Sequence, residues 1–319
     1  MGNNPDMQHH EVFSRFRQYS GEIPQGYHAD FLGTQAQHEF TSGLRDDVPV
    51  PYPLRRTYQN YPYPRVDEDY FEWIDLLESV VAASGSYTML DLGAGFGKWA
   101  VRAAFAARQY NPKLRCHVIA VEAEPTVYDW MRKHFRHNGI KPRWHTLLHA
   151  AVADEPGEVE FCIGGPRGGP YDRPPSAWYG QFLTKGNAAF GEWRPDGKYH
   201  GFKVRLHTSG WRSIRIPGVS LGSLLEKLQR VDLIDLDIEG QELASLTSVA
   251  AELDAKVKRL HIGTHSTEIE AGLRRLLAAH GWQCHADYPL SSTSETPWGP
   301  VSFENGVQSW VNPRWPASP

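Results

Sequence analysis

The chain has 319 residues, room for one large domain or for a domain with an extension, and its 33 lysines and arginines against 37 aspartates and glutamates give a net charge of −4. Without a basic run, that balance argues against nucleic acid as a partner. Three scattered cysteines, Cys116, Cys162 and Cys284, form no C-x-x-C, which argues against a disulfide framework or zinc knuckle and for a reducing compartment.

Residues 1–66 are polar, and Pro49, Pro51, Pro53, Pro62 and Pro64 stand among tyrosines. Fixed φ and missing amide protons leave no long regular element there. The stretch reads as an N-terminal extension: an initial dozen disordered residues, a short helix from Glu11 to Tyr19, then an extended strap that would serve as a lid. No basic segment followed by an apolar one opens the chain, and no apolar run approaches the roughly 20 residues of a membrane helix. A soluble, cytoplasmic protein with no membrane partner is therefore expected, and a homo-oligomer is left open. Cys116 and Cys284, beside strand-like runs, read as core filler.

Residues 67–319 read as one α/β domain. From Asp67 to Ala82, acids in the first turn and apolar residues at 70, 71, 74, 77, 80 and 81 predict an amphipathic helix. Thr88 to Leu92 is then a buried strand that turns sharply into a helix running to Tyr110. Gly93, Gly95 and Gly97 remove β-carbons where the chain must turn and where a ligand can lie against bare backbone. A dinucleotide loop reads G-x-G-x-x-G; here the third glycine comes one residue early and Asp91 precedes the first, a carboxylate better suited to an ammonium group than to a phosphate. Cys116 to Glu122 is a second parallel strand. Glu122 at its tip is placed to accept from both hydroxyls of a ribose, with Ala94 and Ala123 beside it. A helix starts at Glu124-Pro125 and ends near Asn138. Trp144 to Asp154 is a third strand and its exit, where Ala150 and Ala151 leave space for an adenine ring and Asp154 would reach its edge.

From about 157 to 217 the chain is an insertion rich in glycine and proline, whose strands near Glu158–Ile163 and Phe202–Leu206 would pair as a hairpin over the site. Of the protein's eleven tryptophans, Trp178, Trp193 and Trp211, with Tyr179, make the insertion a candidate surface for a flat or ring-shaped substrate; an aromatic mini-core explains them equally well. A helix spans Ser220–Gln229. Val231 to Glu242 holds a fourth strand carrying Asp235, Asp237 and Glu239, more acid than a buried strand tolerates without cations, amides or a metal. Asp237 and Glu239 would share one side at the sheet's carboxyl edge. The fifth strand, Lys256–Leu260, leads to His261 and His265, which, beside these acids, would serve as a general base or complete a divalent-cation site such as one for Mg. A helix from Glu268 to His280, a strand from Trp282 to Tyr288, a loop to Asn305 and a strand from Gly306 to Val311 close the sheet.

Asp91-x-Gly-x-Gly-x-Gly, Val121-Glu-x-Glu-Pro125, His149-Ala-Ala-Val-Ala-Asp154, Val219-Ser-Leu-Gly-Ser-Leu-Leu and Asp237-Ile-Glu-Gly-Gln-Glu242, in that order, resemble the FkbM family of S-adenosylmethionine (SAM) methyltransferases over residues 86–290. The resemblance implies a doubly wound, seven-stranded, mostly parallel sheet of the Rossmann-like class I type. It also implies SAM as cofactor on Asp91, Gly93, Ala94, Gly95, Gly97, Glu122, Ala123, Ala151 and Asp237, and O-methylation of a small-molecule hydroxyl on a secondary metabolite or sugar. His265 is the expected base or ligand, with Asp237 and Glu239 orienting the acceptor or holding a cation. Two positions depart from the family pattern: Asp235 stands where a lysine is common, and Gly263 where an acid is. The added negative charge favours a metal or a cationic substrate, so N-methylation of an amine or guanidine is an alternative, as is a silent SAM-binding protein.

Overall fold

The computed structural model describes residues 8–41, 55–166, 181–183 and 191–315. Its central sheet is made of β1 (Ser86–Leu92), β2 (Arg115–Glu122), β3 (Thr146–His149), β4 (Leu233–Leu236), β5 (Arg259–Thr264), β6 (Gln283–Tyr288) and β7 (Gly306–Val311). The strands lie in the order β6-β7-β5-β4-β1-β2-β3, and β7 alone runs antiparallel to its neighbours. Chain direction across the sheet reverses between β1 and β4, the place where α/β sheets open a crevice at their carboxyl edge.

Both faces of the sheet are covered, which is why β1, β2 and β4 read as near-continuous apolar runs. α1 (Asp69–Val81), α2 (Lys98–Tyr110) and α3 (Pro125–His137) pack on one face, where Tyr70, Trp73, Leu76 and Leu77 of α1 join Met89, Val118 and Phe135 in one core. α4 (Leu221–Glu226), α5 (Glu242–Thr247), α6 (Ala250–Lys256) and α7 (Thr267–Ala279) cover the other, around Leu90, Val121, Ile234 and Leu260. No helix among the described residues is long and apolar enough to cross a membrane.

The N-terminal extension is a packed outer layer. Its first element is a short 3-10 helix, Glu11–Arg15, rather than a helix to Tyr19. Phe13 stacks on Tyr70 with centroids 5.1 Å apart, Phe31 lies 5.0 Å from Trp73, and Phe40 sits between Phe96 and Trp130. Among the described residues, none before Glu68 lines the large cavity, so this part of the extension braces α1 to α3 from outside instead of closing over the site. Residues 1–7 and the strap prolines at 49, 51 and 53 lie outside the described residues.

Four further expectations change. The third strand breaks: after β3, Ala151–Val152 leaves the central sheet and pairs in parallel with Gly218–Val219, leaving Asp154 exposed. The insertion strand Gly157–Gly164 pairs with Arg212–Val219 instead of with 202–206, and Phe202–His207 lies on the other edge of that same strand. Ile214 and Ile216 explain this, because both are fully buried and make 212–219 the centre of a small sheet that needs a partner on each side. The loop before Asn305 contains a hairpin, Ser292–Thr296 with Gly299–Phe303. Cys284 is exposed, so it is not core filler. Trp178, Tyr179 and most of the insertion's Gly-Pro run lie outside the described residues.

Candidate active site

A cavity of about 580 Å³ opens at the carboxyl edge between β1 and β4. Its first half is built from main chain. Gly93, at φ +84°, passes so close to β4 that a β-carbon would sit 1.8 Å from the Asp237 carbonyl oxygen. The amides of Gly93 and Ala94 both donate to the Val121 carbonyl, at 3.1 and 2.9 Å, which ties the loop to the tip of β2. Glu122 accepts from the Gly95 amide at 2.9 Å and from the Glu124 amide at 2.7 Å. A carboxylate has about four lone-pair directions, so Glu122 can accept from a ligand as well as from backbone amides. Burial lifts the Glu122 pKa to about 8 against the pull of these amides. Asp91 accepts from the Ala100 amide at 2.9 Å in the first turn of α2, where an anion suits the helix dipole. Burial, and then the charges of Asp235, Glu122 and Asp237, push the Asp91 pKa well up. A cationic ligand laid across these acids would offset that repulsion. Gly97, at φ +74°, caps α2 and does not line the cavity; a β-carbon there would meet Met131 at 2.9 Å.

The second half is built from side chains that meet side chains. Glu72 on α1, Asp235 on β4 and His261 on β5 bring one ligand atom each to within 4.8 Å of one another. All three line the cavity. Asp235 is 4% exposed; burial and the Asp235 charge hold Glu72 well above the usual carboxylate range, so the pair keeps a shared proton. His261 is held from behind: its Nδ1 lies 2.8 Å from Asp75 Oδ2, and Asp75 also takes Arg259 Nη1 at 2.6 Å and the Ser309 hydroxyl. Burial opposes the charge on His261, yet the Asp75 contact and the nearby acids raise its pKa overall. Asp75 is lowered in turn by His261 and Arg259 despite its burial.

A third group stands beside the cavity. Glu242, fully buried, accepts from the Ile238 amide at 3.2 Å, the Gly240 amide at 3.0 Å and His265 Nδ1 at 2.9 Å, and so fastens the turn after β4. His265 Nε2 is 3.2 Å from Asp237 and 3.6 Å from Glu239. Glu239 sits at φ +51°, a left-handed conformation uncommon for a non-glycine residue. The strand stops at Leu236, so Asp237 and Glu239 reach the same histidine through this turn instead of through strand alternation. The surrounding carboxylates raise the His265 pKa to about 11, which makes it an imidazolium at neutral pH. Asp237, Glu242 and His265 bring one donor atom each to within 4.8 Å of one another. Glu242 Oε1 already serves three donors, while Glu242 Oε2 is buried with no hydrogen-bond partner among the described residues.

Of the residues anticipated for the cofactor, Asp91, Gly93, Ala94, Gly95, Glu122, Ala123, Ala151 and Asp237 line the cavity, and Glu239 does too. His265 does not; its place on the wall is taken by His261, which lies inside β5. The insertion contributes Phe161, Gln181, Phe182 and Leu183. Sequence reasoning missed Glu72 and Asp75. A signal existed, since Glu68, Asp69, Glu72 and Asp75 repeat at three- and four-residue spacing down one stripe of α1.

The model of the FkbM methyltransferase domain matches residues 91–281. A protein of Jannaschia sp. (strain CCS1), provisionally named a methyltransferase, is 24% identical over 281 residues, covering 88% of this chain and 90% of its own length. Among solved structures, an FkbM methyltransferase from Methylobacillus flagellatus KT is similar at 13% identity and TM-score 0.42, over 72% of this chain and 44% of that one. A precorrin-6y C5,15-methyltransferase from Geobacter metallireducens GS-15 is similar at 11% identity and TM-score 0.38, over 75% and 86% of the two chains.

Proposed function

Because the chain belongs to the FkbM methyltransferase family, we propose that it carries the methyl group of SAM to a hydroxyl of a small-molecule acceptor lying against Glu72, Asp235 and His261. When bound, SAM supplies an electrophilic methyl on a sulfonium. Gly93, Ala94 and Gly95 would hold it against bare backbone, Glu122 would take its ribose, and Asp91 and Asp237 would offset its positive charges. The bare main chain of Gly93 and Gly95 on the cavity wall and the buried Glu122 carboxylate at the tip of β2 fit such a ligand.

A hydroxyl is a poor nucleophile until its proton leaves, so the acceptor side must supply a base. Asp235 is the ionised half of the carboxyl pair, and burial, against the hydrogen bond from Glu72 and the charge of His261, makes it a stronger base than an ordinary aspartate. It would take the proton while His261, fixed by Asp75, donates to the acceptor oxygen and orients it. His265 would position Asp237 and Glu239 through its contacts with both, without touching the acceptor. The observation that carries this reading is the meeting of Glu72, Asp235 and His261 on the cavity wall, with His261 braced by Asp75 at 2.8 Å.

A second reading has its own support. Glu68, Asp69, Glu72, Asp235, Asp237, Glu239 and Glu304 line the acceptor side, with Lys98 the one lysine or arginine among the described lining residues, and Lys98 is held by Asp69. Such a wall suits an amine or guanidine, which would be N-methylated. Labelled SAM tested against paired alcohols and amines decides: label on the alcohol oxygen, lost in Asp235→Asn, supports the first reading; label only on nitrogen replaces it by the second.

A further inference from the structure

Behind the glycine loop lies a second cavity of about 90 Å³, between the N-terminal extension, the start of α2 and α3. Phe96 and Lys98 line both cavities, so the two stand back to back. Their chemistry is opposite, because the small one is walled by His28, His134 and Arg102, with Asp30 as its acid.

His134 is 2% exposed, and its Nδ1 is 3.1 Å from the Phe96 carbonyl oxygen. A carbonyl can only accept, so Nδ1 carries the proton and Nε2 presents a bare lone pair. That nitrogen is buried and has no partner among the described residues. Arg102 is held between Trp73 and Trp99, its guanidinium carbon 4.3 Å from each ring centroid. Its Nε donates to Asp30 at 3.1 Å, while Nη1 is buried and unpaired. Asp30 is fully engaged: one oxygen accepts from the Leu32 and Thr34 amides, the other from the Thr34 hydroxyl and Arg102. His28 meets His38 edge to face at 5.3 Å, and His38 Nε2 is also buried without a partner. Burial holds His134 down to about 3 and, with the charges of His38, Arg102 and Lys98, His28 down to about 4, so both rings are neutral at pH 7.

Buried polar groups left without partners cost about 1–3 kcal/mol each, which makes a cavity lined by two of them, Arg102 Nη1 and His134 Nε2, a place a ligand can occupy with gain. The volume is well above the roughly 10–15 Å³ that a single water needs. A cation is disfavoured by the guanidinium, and the donor groups able to hold a metal lie elsewhere among the described residues. The ligand must accept from Arg102 Nη1 and also donate to the bare nitrogen of His134. A carboxylate or sulfate has no proton to donate at pH 7, whereas inorganic hydrogenphosphate keeps its last proton throughout the neutral range and a phosphate monoester, with a second pKa near 6, keeps one part of the time.

We propose that this cavity is a binding site for a small oxyanion of the hydrogenphosphate class, accepting from Arg102 and donating through its P–OH to His134. The phosphate is either free or the monoester end of a larger ligand. Calorimetry of the full chain with inorganic phosphate, sulfate and glycerol phosphate at pH 7.5 and matched ionic strength tests it. Binding of phosphate or the monoester at least tenfold tighter than sulfate is expected, and which of the two binds identifies the source. In His134→Phe, which removes the acceptor nitrogen, the preference over sulfate should fall at least tenfold. Should that variant fail to fold, His28→Leu at the half-buried edge should weaken phosphate at least threefold. Equal binding of phosphate and sulfate, or no heat from any of the three, would overturn the site.

Discussion

The two halves of the large cavity both end in buried carboxylates, yet they satisfy them by different means. At the tips of β1 and β2, backbone amides hold both acids: Ala100, nine residues on, donates to Asp91, while Gly95 of the glycine loop and Glu124, two residues on, donate to Glu122. At β4 and β5, Glu72 and Asp235 face each other across 163 positions of sequence, and His261 is braced by Asp75 across 186. Main-chain donors do not titrate and survive any substitution but proline, so the first half is a fixed receptacle. The second is a cluster whose charge depends on every member, as a place for proton transfer requires.

Gly93→Ala should break the first half most severely. The new β-carbon would meet backbone at 1.8 Å in a left-handed conformation, and neither partner can rotate away. SAM affinity should fall beyond about a thousandfold, with a melting temperature several degrees lower; affinity within tenfold of wild type would show that the loop is not the receptacle. Asp235→Asn should split the halves instead. It keeps the volume and removes the base, so turnover should drop about 10²–10⁴-fold while SAM affinity by calorimetry stays within threefold. Turnover within threefold would end the role given to Asp235.

This contrast also explains what could be read from the sequence. A receptacle made of backbone leaves its mark as glycines at fixed spacing with acids at strand tips, and Asp91, Gly93, Gly95 and Glu122 were legible for that reason. The parallel strands themselves were legible from the same pattern, since buried parallel strands are apolar runs separated by helices, whereas the doubly wound seven-stranded sheet came with the family resemblance. Glu72 was not legible in the same way, because an acid on the polar stripe of an amphipathic helix looks solvated until the helix is seen to turn that stripe toward β4. His265 was favoured over His261 because a histidine inside the fifth strand reads as structural. His261 does lie inside β5, which runs to Thr264, yet it lines the cavity wall and His265 does not. The pairing in the insertion was missed because only burial shows Ile214 and Ile216 to be central.

His265→Gln sharpens the boundary of the reactive cluster through pH. The folded pKa of about 11 lies above the ordinary 6.5, so the stabilisation from the charged ring is fully present below pH 6.5 and is lost as pH rises toward 11. The variant should be less stable by about 1–3 kcal/mol near pH 6, the range for a buried group deprived of its partner. The gap in melting temperature should close steadily up to pH 10. A gap that does not change with pH would mean that the ring acts by packing and not as an imidazolium clamp on Asp237, Glu239 and Glu242.

Gly263→Ala should have the smallest effect and the most specific one. A β-carbon there would stand 3.3 Å from Asp237 Cγ, and the Asp237 side chain is 56% exposed, so it can yield by a few tenths of an ångström. Replacing a strand glycine removes freedom from the unfolded chain and is worth about 0.4–1 kcal/mol where the backbone tolerates it, which predicts a slightly higher melting temperature. The displaced carboxylate borders both halves. Because Asp237 offsets charge on SAM, KM for SAM should rise a few-fold while KM for the acceptor stays constant; a rise confined to the acceptor would move Asp237 to the reactive cluster and redraw the line between the two.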